Sequence, residues 1–180
     1  RMSVEQFQQM RDRTIPASPD GALPVITFTD ALTFHLNGES VHVFHVPPAH
    51  TDGDSVVHFQ GADVLHAGDV FFNGTYPFID IDSGGSIQGM IDAQERILSL
   101  SGDDTVIIPG HGPIANAAKL RDTRQMLMTV RDRVRSAIAS GMKLEELIAS
   151  DPLADLNGEW GGGFIEPTQM LTIVYADLTR

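Results

Sequence analysis

The chain has no cysteine among its 180 residues. That excludes disulfides and thiolate metal sites, and it leaves histidine and carboxylate as the metal-ligand types available. The same absence suits cytoplasm or periplasm and decides neither. Cations are scarce, with 12 Lys and Arg against 24 Asp and Glu, for a net charge of −12. Binding to a phosphate backbone needs clustered cations. Six of the twelve do fall in one stretch (Lys119, Arg121, Arg124, Arg131, Arg133 and Arg135), where they read as the solvated face of a helix. No apolar run approaches the roughly 18 residues of a membrane span, and the opening RMSVEQFQQMRDR is polar, unlike a secretory signal. GxGxxG and GxxxxGK[ST] are absent, as is the GxSxG elbow that would make Ser55, Ser83 or Ser86 a triad nucleophile. The partners left are small molecules, with no nucleic acid and no membrane.

What the chain does have is three short loops between Pro47 and Pro113: PPAHTDGD with His50, HAGD with Asp69 and PGHGP with His111. Each follows an apolar, strand-like run (VHVFHV, DVLH, TVII), so each donor is expected at the C-terminal tip of a strand. Two imidazoles and one carboxylate at one sheet edge suit a divalent metal, zinc above all. His66, three residues before Asp69, is the other candidate ligand; its alternating place in a strand makes it a sheet-face histidine instead.

Around these loops the pattern is mixed α and β. Ser3 to about Arg13 reads as a short helix with Val4, Phe7 and Met10 on one face, and Ile15–Pro24 as a linker. Strands are expected at Val25–Thr29, Leu32–Leu36, Val41–Val46, Ser55–Phe59 and Val64–His66, with Asn37-Gly38 as a hairpin turn and antiparallel meander connections. Asn73–Gly85 reads as a long loop whose acids fix it by side-chain to backbone bonds. Ser86–Leu100 is amphipathic, Thr105–Ile108 a buried strand, Asn116–Ala139 a long helix and Leu144–Ala149 a short one. GEWGGGF is expected to be loop, anchored by Trp160, before a last helix over Thr168–Leu178.

PAHTDGDSVV, HAGDVFF, GGSIQGMIDA and IIPGHGP, in that order over about positions 41 to 115, resemble the second half of metallo-β-lactamase-fold hydrolases. The resemblance implies an α+β fold, a four-layer αββα sandwich of which this chain carries mainly the second half. It implies that His50 is the third histidine of the first zinc site, Asp69 the carboxylate shared by two metals and His111 the histidine of the second. It also implies hydrolysis, with a zinc-activated water attacking a lactam, thioester, lactone or other ester. The family's upstream HxHxDH signature is missing. The seven histidines are His35, His42, His45, His50, His58, His66 and His111, and no two stand as HxH.

With four ligand side chains absent, the chain by itself is expected to hydrolyse weakly or not at all. The alternative is a truncated, non-catalytic module acting as a structural or oligomeric unit. The reading is one truncated domain over 1–180: N-terminal helix and linker over 1–24, a metal-loop sheet region over 25–115, and C-terminal helices over 116–180. Half a sandwich leaves an inner sheet face bare. The expected cover is an upstream fragment of the same protein, consistent with a chain opening on Arg1, or a second copy in a homodimer; the remaining alternative is a reduced, rearranged fold.

Overall fold

Asn37 and Gly38 both adopt positive φ, +55° and +76°, the backbone a tight I′ hairpin turn requires. They join β3 (Ala31–Leu36) to β4 (Glu39–His45), and β5 (Ser55–Phe59) and β6 (Val64–Phe72) continue the antiparallel meander. The chain then crosses through helix α1 (Ile87–Leu100) and returns as β7 (Val106–His111), parallel to β6. The result is a five-stranded sheet in the order β3-β4-β5-β6-β7. Helices α2 (Ala117–Ala139), α3 (Leu144–Ala149), α4 (Asn157–Trp160) and α5 (Pro167–Thr179) follow. This is a computed structural model, and it describes residues 2–9 and 12–180.

The core lies between one face of the sheet and the helices. Phe44, Val56, Leu65, Ala67 and Ile107 of the sheet meet Ile87, Met90 and Ile97 of α1 and Leu120, Leu127, Val130 and Val134 of α2. All are fully buried, each side chain of this size contributing about 1.5–3 kcal/mol. Met170, Leu171 and Val174 bring α5 onto the same core. Ser86 caps α1 by accepting from the Gly89 amide at 2.9 Å, and Asn116 caps α2 by accepting from the Lys119 amide at 3.1 Å. The cations of α2 face carboxylates: Arg133 pairs with Asp155, Arg131 with Asp132 and Arg124 with Glu95.

The opposite face of the sheet is largely apolar, with Glu39, His45, Ser55 and His66 among its members, and no helix of the described residues packs on it. The register lines up Leu32, Phe34 and Leu36 of β3, Val41 and Val43 of β4, Val57 and Phe59 of β5, Val64 of β6, and Val106 and Ile108 of β7. None of the ten is buried; Leu36 is 61% exposed. On the helix side the outer strands instead carry Thr33, His35, Ser40, His42 and His58. On the outer strands apolar residues thus gather on the face away from the helices, as expected for the inner face of half a sandwich.

Three expectations are corrected. Over Ser3–Arg13 there is no α-helix in the described residues: β1 (Gln6–Gln8) pairs antiparallel with β2 (Arg13–Ile15), while Met10 and Arg11 lie outside them. Val4 and Phe7 are exposed, so a lone helix there would have no surface to pack on, and short isolated helices are marginal in water. Val25–Thr29 is not a strand. Val25 and Ile26 point to solvent and the stretch pairs with no other strand. Within GEWGGGF, Gly158, Glu159 and Trp160 belong to the single helical turn of α4, which puts Trp160 in the core.

Candidate metal centre

His50 sits in the loop that follows β4. Asp54 closes that loop by accepting from the Thr51 amide at 2.9 Å and the Thr51 hydroxyl at 3.0 Å. The start of α1 clasps it from outside: the Ser86 amide donates to the Ala49 carbonyl at 2.8 Å, and the Asp80 amide to the His50 carbonyl at 2.9 Å. Gly85 and Gly89 make this approach possible, since a β-carbon on either would run into the carbonyl of His50 or Pro48. Asp80 also accepts from the Ser83 amide at 3.2 Å, so its carboxylate holds the loop by a backbone bond.

Asp69 is not in a loop. The strand expected to end at His66 runs on to Phe72, because the following residues pair with β7 as far as His111. The register slips on both sides of Gly68, whose φ is +54°, and such bulges re-aim side chains beside functional sites. Gly110 of β7 is the counterpart. A β-carbon there would strike the Asp69 carboxylate and the Gly68 backbone. His111 ends β7, and Gly112 turns the chain away at φ +93°.

The three donors meet. His50 Nε2 lies 3.6 Å from Asp69 Oδ2, and His111 Nε2 lies 3.5 Å from Asp69 Oδ1. One carboxylate therefore turns one oxygen to each imidazole. Both distances exceed the roughly 2.7–2.9 Å of a charge-assisted hydrogen bond. His50 Nδ1 is 2.8 Å from the Phe78 carbonyl. A carbonyl only accepts, so Nδ1 carries a proton; in the neutral ring this turns the Nε2 lone pair to Asp69, the tautomer a metal ligand needs. As they stand, no three His, Cys, Asp or Glu among the described residues form a group ready to hold a metal ion. The donor types and the His50 tautomer fit zinc, and the arrangement is two pairs about a shared carboxylate.

The surroundings are aromatic. Phe72 stacks on His111 with centroids 4.5 Å apart, Phe164 lies 5.6 Å from His111, and Phe78 meets His50 edge-on at 5.7 Å. Side-chain exposure rises from 17% at His50 to 41% at Asp69 and 50% at His111, so one side is open to solvent. His66 stands apart on the other sheet face, its Nδ1 accepting from the Gly68 amide at 3.2 Å. The Ser86 hydroxyl is engaged by the Pro48 carbonyl and the Gly89 amide, serving structure and not nucleophilic attack.

Sequence reasoning missed Phe164 and Gly110 as parts of the site. The second glycine-flanked position in PGHGP hinted at close approach; no spacing connects Phe164 to His111.

Behind the site, the loop after β6 is anchored to α4. The Tyr76 amide donates to the Trp160 carbonyl at 2.9 Å, and its hydroxyl to Asn157 Oδ1 at 3.0 Å. Burial, reinforced by the Asp155 carboxylate, pushes the Tyr76 phenol up to about 12, with Arg133 opposing and Asp151 adding to the rise.

The family model described as Metallo-beta-lactamase superfamily matches residues 1–111. Among solved structures, a metallo-beta-lactamase from Pontibacter korlensis is similar at 21% identity and a TM-score of 0.51. That match covers 63% of this chain and 50% of the other. A double mutant of the sec-alkyl sulfatase PisA1 is similar at 18% identity and a TM-score of 0.68, covering 88% of this chain and 27% of the other. At these identities the likeness is one of fold. The chain thus spans half the length of the first structure and about a quarter of the second. No curated protein matches the sequence.

Proposed function

Because the chain belongs to the metallo-beta-lactamase superfamily, we propose that it carries part of a zinc-dependent hydrolytic centre in which His50, Asp69 and His111 hold the metal. The observation that carries this reading is the Asp69 carboxylate set between two imidazole Nε2 atoms at 3.6 and 3.5 Å. Bound zinc would supply Lewis acidity and bring the pKa of a water towards neutrality. The chain's own residues do the rest. The Phe78 carbonyl keeps the His50 proton on Nδ1, so that ring presents a lone pair without reorganising. The bulge at Gly68 aims Asp69, and Phe72 packs flat against His111 and limits its rotation. The exposed side of the group leaves room for a water and an ester, thioester, lactone or lactam. With no HxHxDH segment in the chain, turnover by these 180 residues alone is expected to be weak or nil. Zinc content by mass spectrometry, together with hydrolysis of a generic ester and a generic lactam, tests the proposal. A chain that takes up no zinc from micromolar solution would sink it.

A second reading is favoured by a separate observation. The bare apolar sheet face running from Leu32 to Ile108 supports a structural or oligomeric unit whose role is to pack against another sheet, from an upstream segment or a second copy. Zinc stoichiometry separates the two readings. One or two tightly held ions favour the first, and none with a stable dimer favours the second.

A further inference from the structure

A cavity of about 400 Å³ opens beside the His50–Asp69–His111 group, lined by Phe78, Phe164, Ile165, Thr168, Gln169, Thr172 and Ile173. It is joined to that group by two shared residues. Phe78 lines the cavity, and its carbonyl lies 2.8 Å from His50 Nδ1. Phe164 lines the cavity and lies 5.6 Å from the His111 ring and 6.0 Å from Phe72. The cavity and that group thus share two neighbours, one beside each imidazole.

The lining is uncharged, in a chain whose net charge is −12. Two of its polar groups are engaged within α5 and its cap. The Thr172 hydroxyl donates to the Thr168 carbonyl at 2.8 Å, and Gln169 Oε1 accepts from the Glu166 amide at 3.0 Å. Two isoleucines and two phenylalanines supply its apolar part, with Phe164 58% exposed at the mouth. The volume falls in the range of small-molecule sites, about 300–1,000 Å³. A bare aromatic at the entrance of an uncharged hollow suits an apolar chain and offers no counter-charge to a charged group.

We propose that this cavity, built by α5 and the loop before it, receives a medium-length acyl or alkyl chain of the substrate and so sets the enzyme's preference for it. The proposal rests on the reading of His50, Asp69 and His111 as the reacting centre, but it can be tested without metal. The experiment is an NMR titration of the 180-residue chain with butanoate, hexanoate and octanoate. Affinity is expected to rise roughly two- to fourfold per added methylene, the range for its full or partial burial, with amide shifts centred on Ile165, Thr172 and Ile173. Thr172→Phe, which fills the hollow, should weaken octanoate at least about tenfold by the same arithmetic while zinc uptake persists. Phe164→Ser alters an exposed position and so spares the core; it should flatten the chain-length series.

An affinity independent of chain length, or both variants binding octanoate as the parent does, overturns the proposal. The metal reading is separated by Asp69→Asn. Loss of zinc with the octanoate series intact shows that cavity and metal group are distinct parts of one site. A parent chain that binds octanoate in this way but takes no zinc retains the cavity and removes the hydrolytic reading instead.

Discussion

His50 gives its Nδ1 proton to the carbonyl of Phe78 across 2.8 Å, and that one bond decides which nitrogen faces Asp69. The ring is already in the ligand tautomer before any metal arrives. In the metal-free chain at pH 8, nitrogen-detected NMR should find the His50 proton on Nδ1 and Nε2 bare. A proton on Nε2 would mean that the ring is not prepared for a metal.

Metal affinity should depend on the shared carboxylate more than on either ring. Asp69→Asn removes the charge facing both imidazoles and should lower zinc affinity at least about 100-fold, the upper end of what even a second-shell change costs. His111→Ala, at the more exposed end, should cost less. Isothermal titration with zinc orders the two, and the reverse order would place the metal nearer His111.

Gly110 is where backbone approach can be tested apart from chemistry. Its missing side chain leaves the space that the Asp69 carboxylate and the Gly68 carbonyl occupy. Gly110→Ala should destabilise by about 1–3 kcal/mol, as overpacking does, and weaken zinc binding as well. Gly158→Ala meets no atom within 4 Å and should change stability by no more than about 0.5 kcal/mol. Urea midpoints of the pair measure the contrast.

Alkaline pH should unfold the chain through Tyr76. Its phenol is pushed up to about 12, whereas in the unfolded chain it ionises near 10. Between those values the unfolded chain has lost a proton that the folded chain keeps. The contribution is therefore whole below about pH 10 and is lost as pH climbs to about 12. Absorbance at 295 nm should show one of the two tyrosines ionising together with unfolding. Tyr76→Phe should cost about 1 kcal/mol at neutral pH by removing the Asn157 bond and flatten that limb. An equally steep limb in the variant would assign the effect elsewhere.

The uncovered sheet face predicts association. Sedimentation of the parent chain should show concentration-dependent dimers, and Val57→Lys, near the middle of that face, should return it to monomer. A parent that stays monomeric at high concentration would count against a second copy as the cover.

The sequence by itself determined the parts whose signals are local. Asn-Gly set the β3–β4 hairpin because only certain residues accept positive φ. The stripe Leu120, Leu127, Val130 and Val134 set α2 because a helix repeats every 3.6 residues. His50, Asp69 and His111 were legible as donors because the Gly- and Pro-rich stretches around them mark where strands and turns present side chains.

Only the tertiary structure decided what depends on distant backbone coming close. Asp69 sits within a strand because Gly68 and Phe72 on either side of it found partners in β7, and nothing local announces a partner. Phe7 and Val4 kept a helical spacing yet form no described helix, since amphipathicity stabilises only where a surface waits to receive it. Phe164 and the cavity it borders arise because α4 and the glycine-rich loop fold back over β6 and β7. Hydrophobic burial is paid out by contact and not by order along the chain, so periodicity predicts the faces while packing alone selects which faces meet.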